Sequence, residues 1–295
     1  MQIPTSTKMD TPIRTRPSRI KPDWLKIELP KGEKYLKLHD TVKNHGLHTI
    51  CSSGKCPNMG ECWSRGTATF MILGNTCTRA CKFCSVNHGK AEPVNENEPN
   101  DVAKSIQLMN LNHAVVTSVD RDDLEDKGAS FWATTILKIK EMNPNTTLET
   151  LIPDFDGNHA LLDVVLAAKP EIISHNMETV KRLTPIVRSR AKYDISLEVI
   201  RYISASGIRS KSGIMLGLGE TELEILETMD DLRKVECKIL TIGQYLQPTR
   251  EQMPVEEYIT PEKFNYYKEE GLKRGFTHVE SGPLVRSSYH AENQI

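Results

Sequence analysis

No stretch of this chain approaches the roughly 18 consecutive apolar residues of a membrane-spanning helix. The first 30 residues also lack the apolar core of a secretory signal. Both absences point to a cytoplasmic protein. In that reducing compartment its 7 cysteines are not expected to form a disulfide framework, and metal binding or catalysis is the better reading. Charge of one sign is missing as well. Lys and Arg total 38 and Asp and Glu 39, a net charge of −1, which excludes broad electrostatic binding to nucleic acid or to an anionic membrane. There is no internal repeat and no low-complexity segment. Positive charge is local, in "RTRPSRIKPDWLK" at residues 14–26. That segment reads either as a solvated arm or as a docking surface for an acidic partner protein.

The prolines at 4, 12, 17, 22 and 30 prevent a long helix, so residues 1–33 are expected to form an extended arm. A helix is expected over 34–45, with Tyr35, Leu36 and Val42 near one face and Gly46 as its stop. From residue 68 the pattern alternates between strand and helix. Strands are expected at 68–74, 113–119, 146–153, 171–176, 212–219 and 237–246, with a last strand or extended piece at 276–283. Helices are expected at 99–111, 128–143, 159–169, 177–187, 196–206 and 221–234, and after Thr260-Pro261. Trp132, Ile136 and Ile139 share one helix face, and Leu223, Leu226 and Leu232 are expected to face inward on another. Thr221 and Glu224 form a capping box. Short strands rich in Ile, Val and Leu suit a parallel sheet covered by helices. The expected fold is α/β, a partial (β/α)6 TIM-like barrel, with a doubly wound open sheet as the alternative.

Cys77, Cys81 and Cys84 form CxxxCxxC in "CTRACKFC", in the loop after the first barrel strand, where barrel chemistry gathers. Such a loop can fold around one corner of a cubic iron–sulfur cluster, give three thiolates to three irons and leave the fourth iron open. Structural zinc fits poorly, since it would be closed by four ligands. A second incomplete set, Cys51, Cys56 and Cys62, lies in "CSSGKCPNMGECW". Its gaps still let one loop wrap a cluster. The residues alone leave its fourth ligand open. Cys237 reads as an apolar filler, and His39, His45 and His48 read as surface or capping groups. His88 can ligate, but the CxxxCxxC set needs its vacancy.

Phe83 is an apolar residue inside the second triplet, and Gly213, Gly217 and Glu220 close a strand in "GIMLGLGE" that lacks the GxGxxG pattern of a dinucleotide site. Asp120, Arg121, Asp122 and Asp123 follow the second strand as a polar loop or a solvated charge run.

The CxxxCxxC loop resembles that of the radical S-adenosylmethionine (SAM) enzymes. That resemblance implies a 4Fe-4S cluster whose open iron chelates SAM, and a 5′-deoxyadenosyl radical that takes hydrogen from an unactivated carbon. It also implies that Phe83 lies near the adenine, that Gly213, Gly217 and Glu220 line the adenosyl pocket, and that the 120–123 loop meets the charged end of SAM. The stretches "CSSGKCPNMGECW", "CTRACKFCSV", "TSVDRDDL", "LIPDF", "HNMETV", "SGIMLGLGE", "QYLQPT" and "RSSYHA", in that order, resemble the lipoyl synthase family from about residue 22 to residue 291. Lys127 departs from it, standing where many members carry a less bulky residue.

This closer resemblance implies a second, auxiliary 4Fe-4S cluster on Cys51, Cys56 and Cys62, with Ser288 of the RSSY motif as its fourth ligand. The expected reaction is sulfur insertion at carbons 6 and 8 of an octanoyl group on a carrier lysine, with the auxiliary cluster as donor. Implied partners are octanoylated lipoyl domains of 2-oxoacid dehydrogenases, the glycine-cleavage H protein, an electron donor and a cluster assembly or repair protein, with the chain acting as a monomer. The implied divisions are an arm at 1–33, a cluster-binding extension at 34–66, the barrel core at 67–283 and a tail at 284–295. Two other readings stand beside this one. The first is a radical SAM enzyme whose auxiliary cluster only relays electrons or holds substrate. The second is a non-catalytic iron–sulfur or zinc protein.

Overall fold

The computed structural model describes residues 21–26, 36, 39–40, 49–53, 56 and 58–294. The expected arm at 1–33 and the helix over 34–45 lie almost wholly outside these residues. Nine strands are described: β1 Thr67–Ile72, β2 Thr76–Cys77, β3 Asn87–His88, β4 His113–Ser118, β5 Thr147–Leu151, β6 Ile172–Ser174, β7 Arg209–Leu216, β8 Ile239–Gln244 and β9 His278–Gly282. Seven of them form one sheet in the order β1-β4-β5-β6-β7-β8-β9, every pair parallel. The order never reverses. A doubly wound sheet must reverse at its switch point, so that alternative is excluded. β9 does not pair with β1, so the barrel is partial. The piece at 276–283, read as strand or extended, supplies the seventh strand beyond the expected six.

The helices are α1 Ile50–Ser53, α2 Met59–Ser64, α3 Glu98–Leu108, α4 Ala129–Met142, α5 His159–Ala167, α6 Thr184–Val187, α7 Tyr193–Ala205, α8 Glu222–Lys234 and α9 Pro261–Lys273. Trp132, Ile136 and Ile139 on α4 are fully buried, at i, i+4 and i+7 of one face. α8 opens with the expected capping box, in which the Thr221 hydroxyl accepts from Glu224 N and the Glu224 carboxylate accepts from Thr221 N. Its inward face is Ile225, Met229 and Leu232. Leu223, expected inward, is exposed, because it stands in the first turn and points away from the sheet side that Ile225 occupies.

The helix expected over 177–187 is reduced to α6. Glu178 takes a left-handed backbone (φ 64°) and bridges to Ile214 of β7, which ends any helix there, and Pro185 sits in the first turn of α6. The barrel interior holds a buried ion pair: Lys211 Nζ on β7 lies 2.8 Å from Glu149 Oε2 on β5, and Ser174 donates to the other carboxylate oxygen. No helix among the described residues is long and apolar enough to cross a membrane.

Candidate active site

Cys77 ends β2, which pairs with β3 to pin both ends of the loop that holds Cys81 and Cys84. The Gly89 amide donates to Cys77 O (2.9 Å), and the Lys82 amide donates to Val187 O (2.9 Å). Three thiols and Phe83 line a cavity of about 230 Å³ at the C-terminal ends of β1, β4, β5 and β6. In a barrel this is the face that carries chemistry. Amides approach the sulfurs: Asp120 N and Arg79 N lie 3.3 and 3.4 Å from Cys77 Sγ, and Val86 N lies 3.5 Å from Cys84 Sγ.

The loop is anchored by Arg79, whose side chain is almost fully buried. Its guanidinium bonds Asp122 in a fork (2.8 and 2.9 Å) and donates to Asp154 at 2.9 Å. Asp120 and Asp156 stand at 3.4 and 3.3 Å. Lys127, with a left-handed backbone (φ 52°), closes the web by pairing with Asp156 at 2.8 Å. The ion pair gives this lysine its place in the web. Arg121 and Asp123 pair with each other at 2.9 Å, away from the cavity. Of the 120–123 loop, only Asp120 lines it.

His175, Asn176, Glu178 and Arg188 also line this cavity. Individual-residue reasoning missed them, although the quoted "HNMETV" and "LIPDF" are the polar loops that follow β6 and β5. His175 is fully buried, with Nδ1 against Ile152 O and Nε2 against Ser196 Oγ. Burial, reinforced by Arg188, pushes its imidazole down to about 4. Burial raises the carboxyls of Asp120 and Glu178.

Gly213, Gly217 and Glu220 do not line the cavity. A Cβ on Gly213 would meet Thr241 Oγ1 and Asn176 Oδ1, so this glycine stands directly behind a cavity residue. Gly217 (φ 100°) is pressed against Gln244 and the Glu257 carbonyl, and the Glu220 carboxylate accepts from the amides of Gly217 and Leu218. Glu220 therefore shapes the turn after β7.

Cys51 on α1, Cys62 on α2 and Cys56 between them line a second, smaller cavity, and Ser288 lines it too. The serine hydroxyl accepts from Thr69 Oγ1 (2.9 Å) in β1, and Cys51 Sγ lies 4.0 Å from Thr69 O. Ile50 lines the first cavity and its chain neighbour Cys51 the second, as do Met71 and Thr69 of β1.

A parallel partial barrel that carries CxxxCxxC on the loop after its first strand defines a radical SAM enzyme. The chain matches the model of the radical SAM superfamily over residues 71–232. Two solved structures share the fold at low identity: methylornithine synthase (TM-score 0.55, 12% identity, 83% of this chain and 77% of that one) and Streptococcus suis SuiB bound to precursor peptide SuiA (TM-score 0.60, 9%, 88% and 55%). Curated relatives are far closer. The lipoyl synthase of Bacteroides fragilis is 64% identical over 93% of this chain and 96% of its own length. That of Parabacteroides distasonis is 62% identical (93% and 98%), and that of Flavobacterium johnsoniae 59% (97% and 100%). The chain belongs to the lipoyl synthase family and is a sulfur-inserting enzyme of the radical SAM class.

The superfamily works with a 4Fe-4S cluster and SAM, and the first cavity fits both. Burial pushes the Cys77 thiol up to about 11, with Asp120 adding to the rise, and it raises Cys81 and Cys84 too. Thiols held protonated in this way become thiolates only against a strong local positive charge such as iron. No group of three or more His, Cys, Asp or Glu among the described residues is placed to hold a single metal ion. A cluster, which gives each thiolate its own iron, asks for a wider spacing. Ser118 Oγ is buried in the cavity wall without a hydrogen-bond partner, a polar atom left for a ligand to bond.

Proposed function

We propose that this chain makes the lipoyl group by inserting two sulfur atoms, at carbons 6 and 8 of a protein-bound octanoyl-lysine, with an auxiliary 4Fe-4S cluster as the sulfur-donating substrate. The observation that carries this reading is the meeting of Cys51, Cys56, Cys62 and Ser288 at one cavity beside the SAM-side cavity. A neighbouring donor fits a reaction in which carbon must meet sulfide as soon as hydrogen leaves. Arg286 supports it further. Its half-buried guanidinium stands beside that cavity with only carbonyl partners, Val285 O at 2.8 Å and Gln244 O at 3.4 Å, and no carboxylate among the described residues. A thiolate-ligated cluster held there would supply the missing negative charge. Burial raises the thiols of Cys56 and Cys62.

When bound, the first cluster and SAM supply the radical that removes hydrogen from an unactivated carbon. Cys77, Cys81 and Cys84 would hold that cluster. Glu178, Asn176 and Arg188 offer one carboxyl, one amide and one guanidinium cation to the amino and carboxylate ends of SAM. Phe83 supplies an apolar wall, and Gly213, with Gly217 and Glu220 behind it, keeps β7 and its turn in shape. Ser288 is a harder ligand than thiolate and an easier one to displace when the donor cluster is consumed. The same reading carries the arm, extension, barrel and tail divisions at 1–33, 34–66, 67–283 and 284–295. It also carries cytoplasmic action as a monomer on octanoylated lipoyl domains and the H protein, served by an electron donor and a cluster-repair protein.

The test is an anaerobic incubation with SAM, a reductant and an octanoyl-lysine peptide. The expected product has gained the mass of two sulfurs, each of two C–H bonds having become C–S–H, so that under the reductant the product is the dithiol. SAM cleavage without sulfur gain would leave the radical class standing and remove sulfur insertion.

A further inference from the structure

Residues 284–294 follow the edge strand β9, which does not pair with the other edge strand, β1. Their backbone is pressed on β8, where a Cβ on Gly243 would lie 2.1 Å from the Val285 carbonyl oxygen. Ahead of Ser288, Asn58 Nδ2 donates to Leu284 O (2.7 Å) and Asn176 Nδ2 to Ser287 Oγ (2.9 Å). Behind it, α2 grips the segment. The Glu61 carboxylate accepts from the Tyr289 hydroxyl (2.9 Å) and meets His290 Nε2 at 2.9 Å. Arg65, just beyond α2, binds the Glu292 carboxylate (2.5 Å) and Asn293 Oδ1 (3.2 Å), and Thr67 Oγ1 donates to Glu292 at 3.0 Å. The Tyr289 and His290 rings stack with centroids 3.8 Å apart, which stiffens the gripped pair.

An alcohol oxygen is a weak iron ligand, so its attachment depends on being held in place beforehand. A cluster that is consumed releases its ligands at each turnover. A tail tied down only through iron would then come free.

We propose that Glu61, with Arg65 behind it, is a positioning residue for Ser288: the clasp from α2 seats the serine beside Cys51, Cys56 and Cys62 whether or not a cluster is present. This rests on Ser288 being the fourth ligand. The α2 clasp adds that the ligand set is preassembled and survives cluster loss.

Hydrogen exchange on the cluster-free, full-length chain tests it. Residues 284–294 are expected to be protected in the wild type and equally in Ser288→Ala, and to exchange at least about tenfold faster in the double variant Glu61→Ala, Arg65→Ala. Exchange in β4 and β5, unchanged, shows that the variant is folded. Glu61→Gln keeps two polar atoms in place and is expected to restore most of the protection. After reconstitution with iron and sulfide, the double variant is expected to fall from about eight irons per chain toward about four. A cluster-free wild type whose tail exchanges as fast as the double variant overturns the clasp, as does a double variant with full protection. Full iron in Ser288→Ala, with a Glu61-dependent tail, overturns instead the ligand reading on which the proposal rests.

Discussion

The guanidinium of Arg79 stands among Asp120, Asp122, Asp154 and Asp156 and ties the loop of Cys77 and Cys81 to the ends of β4 and β5. Removing it leaves buried carboxylates without their counter-charge. Arg79→Ala is therefore expected to cost about 3–5 kcal/mol, measured by urea unfolding. Arg79→Lys keeps the charge but loses the fork, and is expected to cost less. His175 makes a different prediction. Its folded pKa of about 4 lies below the ordinary 6.5, so between those values the unfolded chain binds the extra proton. Stability is complete above pH 6.5 and is lost as the pH falls toward 4. Urea midpoints should drop across that window, and His175→Gln should flatten the slope by up to about 1.4 kcal/mol per pH unit. Gly243 has no space for a side chain against Val285 O. Gly243→Ala is expected to lower stability by about 1–3 kcal/mol and to displace the tail, read by calorimetry and by faster tail exchange.

Among the elements, α8 shows what local chemistry settles. Thr221 caps the Glu224 amide and Glu224 returns the bond, a pairing visible in the chain as T-E-L-E. Thr221→Ala is expected to cost about 1 kcal/mol in thermal unfolding. Strand and helix alternation was equally legible from apolar spacing. β7 shows where that logic stops. It begins at Arg209, three residues before the expected strand, and takes in the wholly buried Lys211. A lysine reads as surface until Glu149, sixty-two positions away, is known to lie 2.8 Å from it. The same limit applies to 177–187, where the bridge from Glu178 to Ile214 overrides a helical pattern. Pairings made by the barrel, not by neighbours in the chain, decide these segments.

On the scale of the whole molecule, the two cysteine triplets were legible from their gaps, although only Cys77, Cys81 and Cys84 share a short loop; the first set, expected on one loop, is instead spread over α1, α2 and the link between them. Ser288 was not. Without the resemblance, "RSSYHAENQI" reads as a polar tail, and only the folded chain brings it to Thr69 and Glu61. His175, Asn176, Glu178 and Arg188 were hidden for the same reason, since the barrel gathers strand ends that are far apart in the chain. The account rests on one claim, that the sulfur added to substrate comes from a cluster held at the seam between extension, barrel and tail. The most direct measurement reconstitutes the protein with isotopically heavy sulfide and follows one anaerobic turnover on an octanoyl-lysine peptide by mass. The account predicts a product with two heavy sulfurs, and none from Ser288→Ala at the wild-type rate. A product carrying only ordinary sulfur, or full heavy-sulfur product from Ser288→Ala, would contradict it.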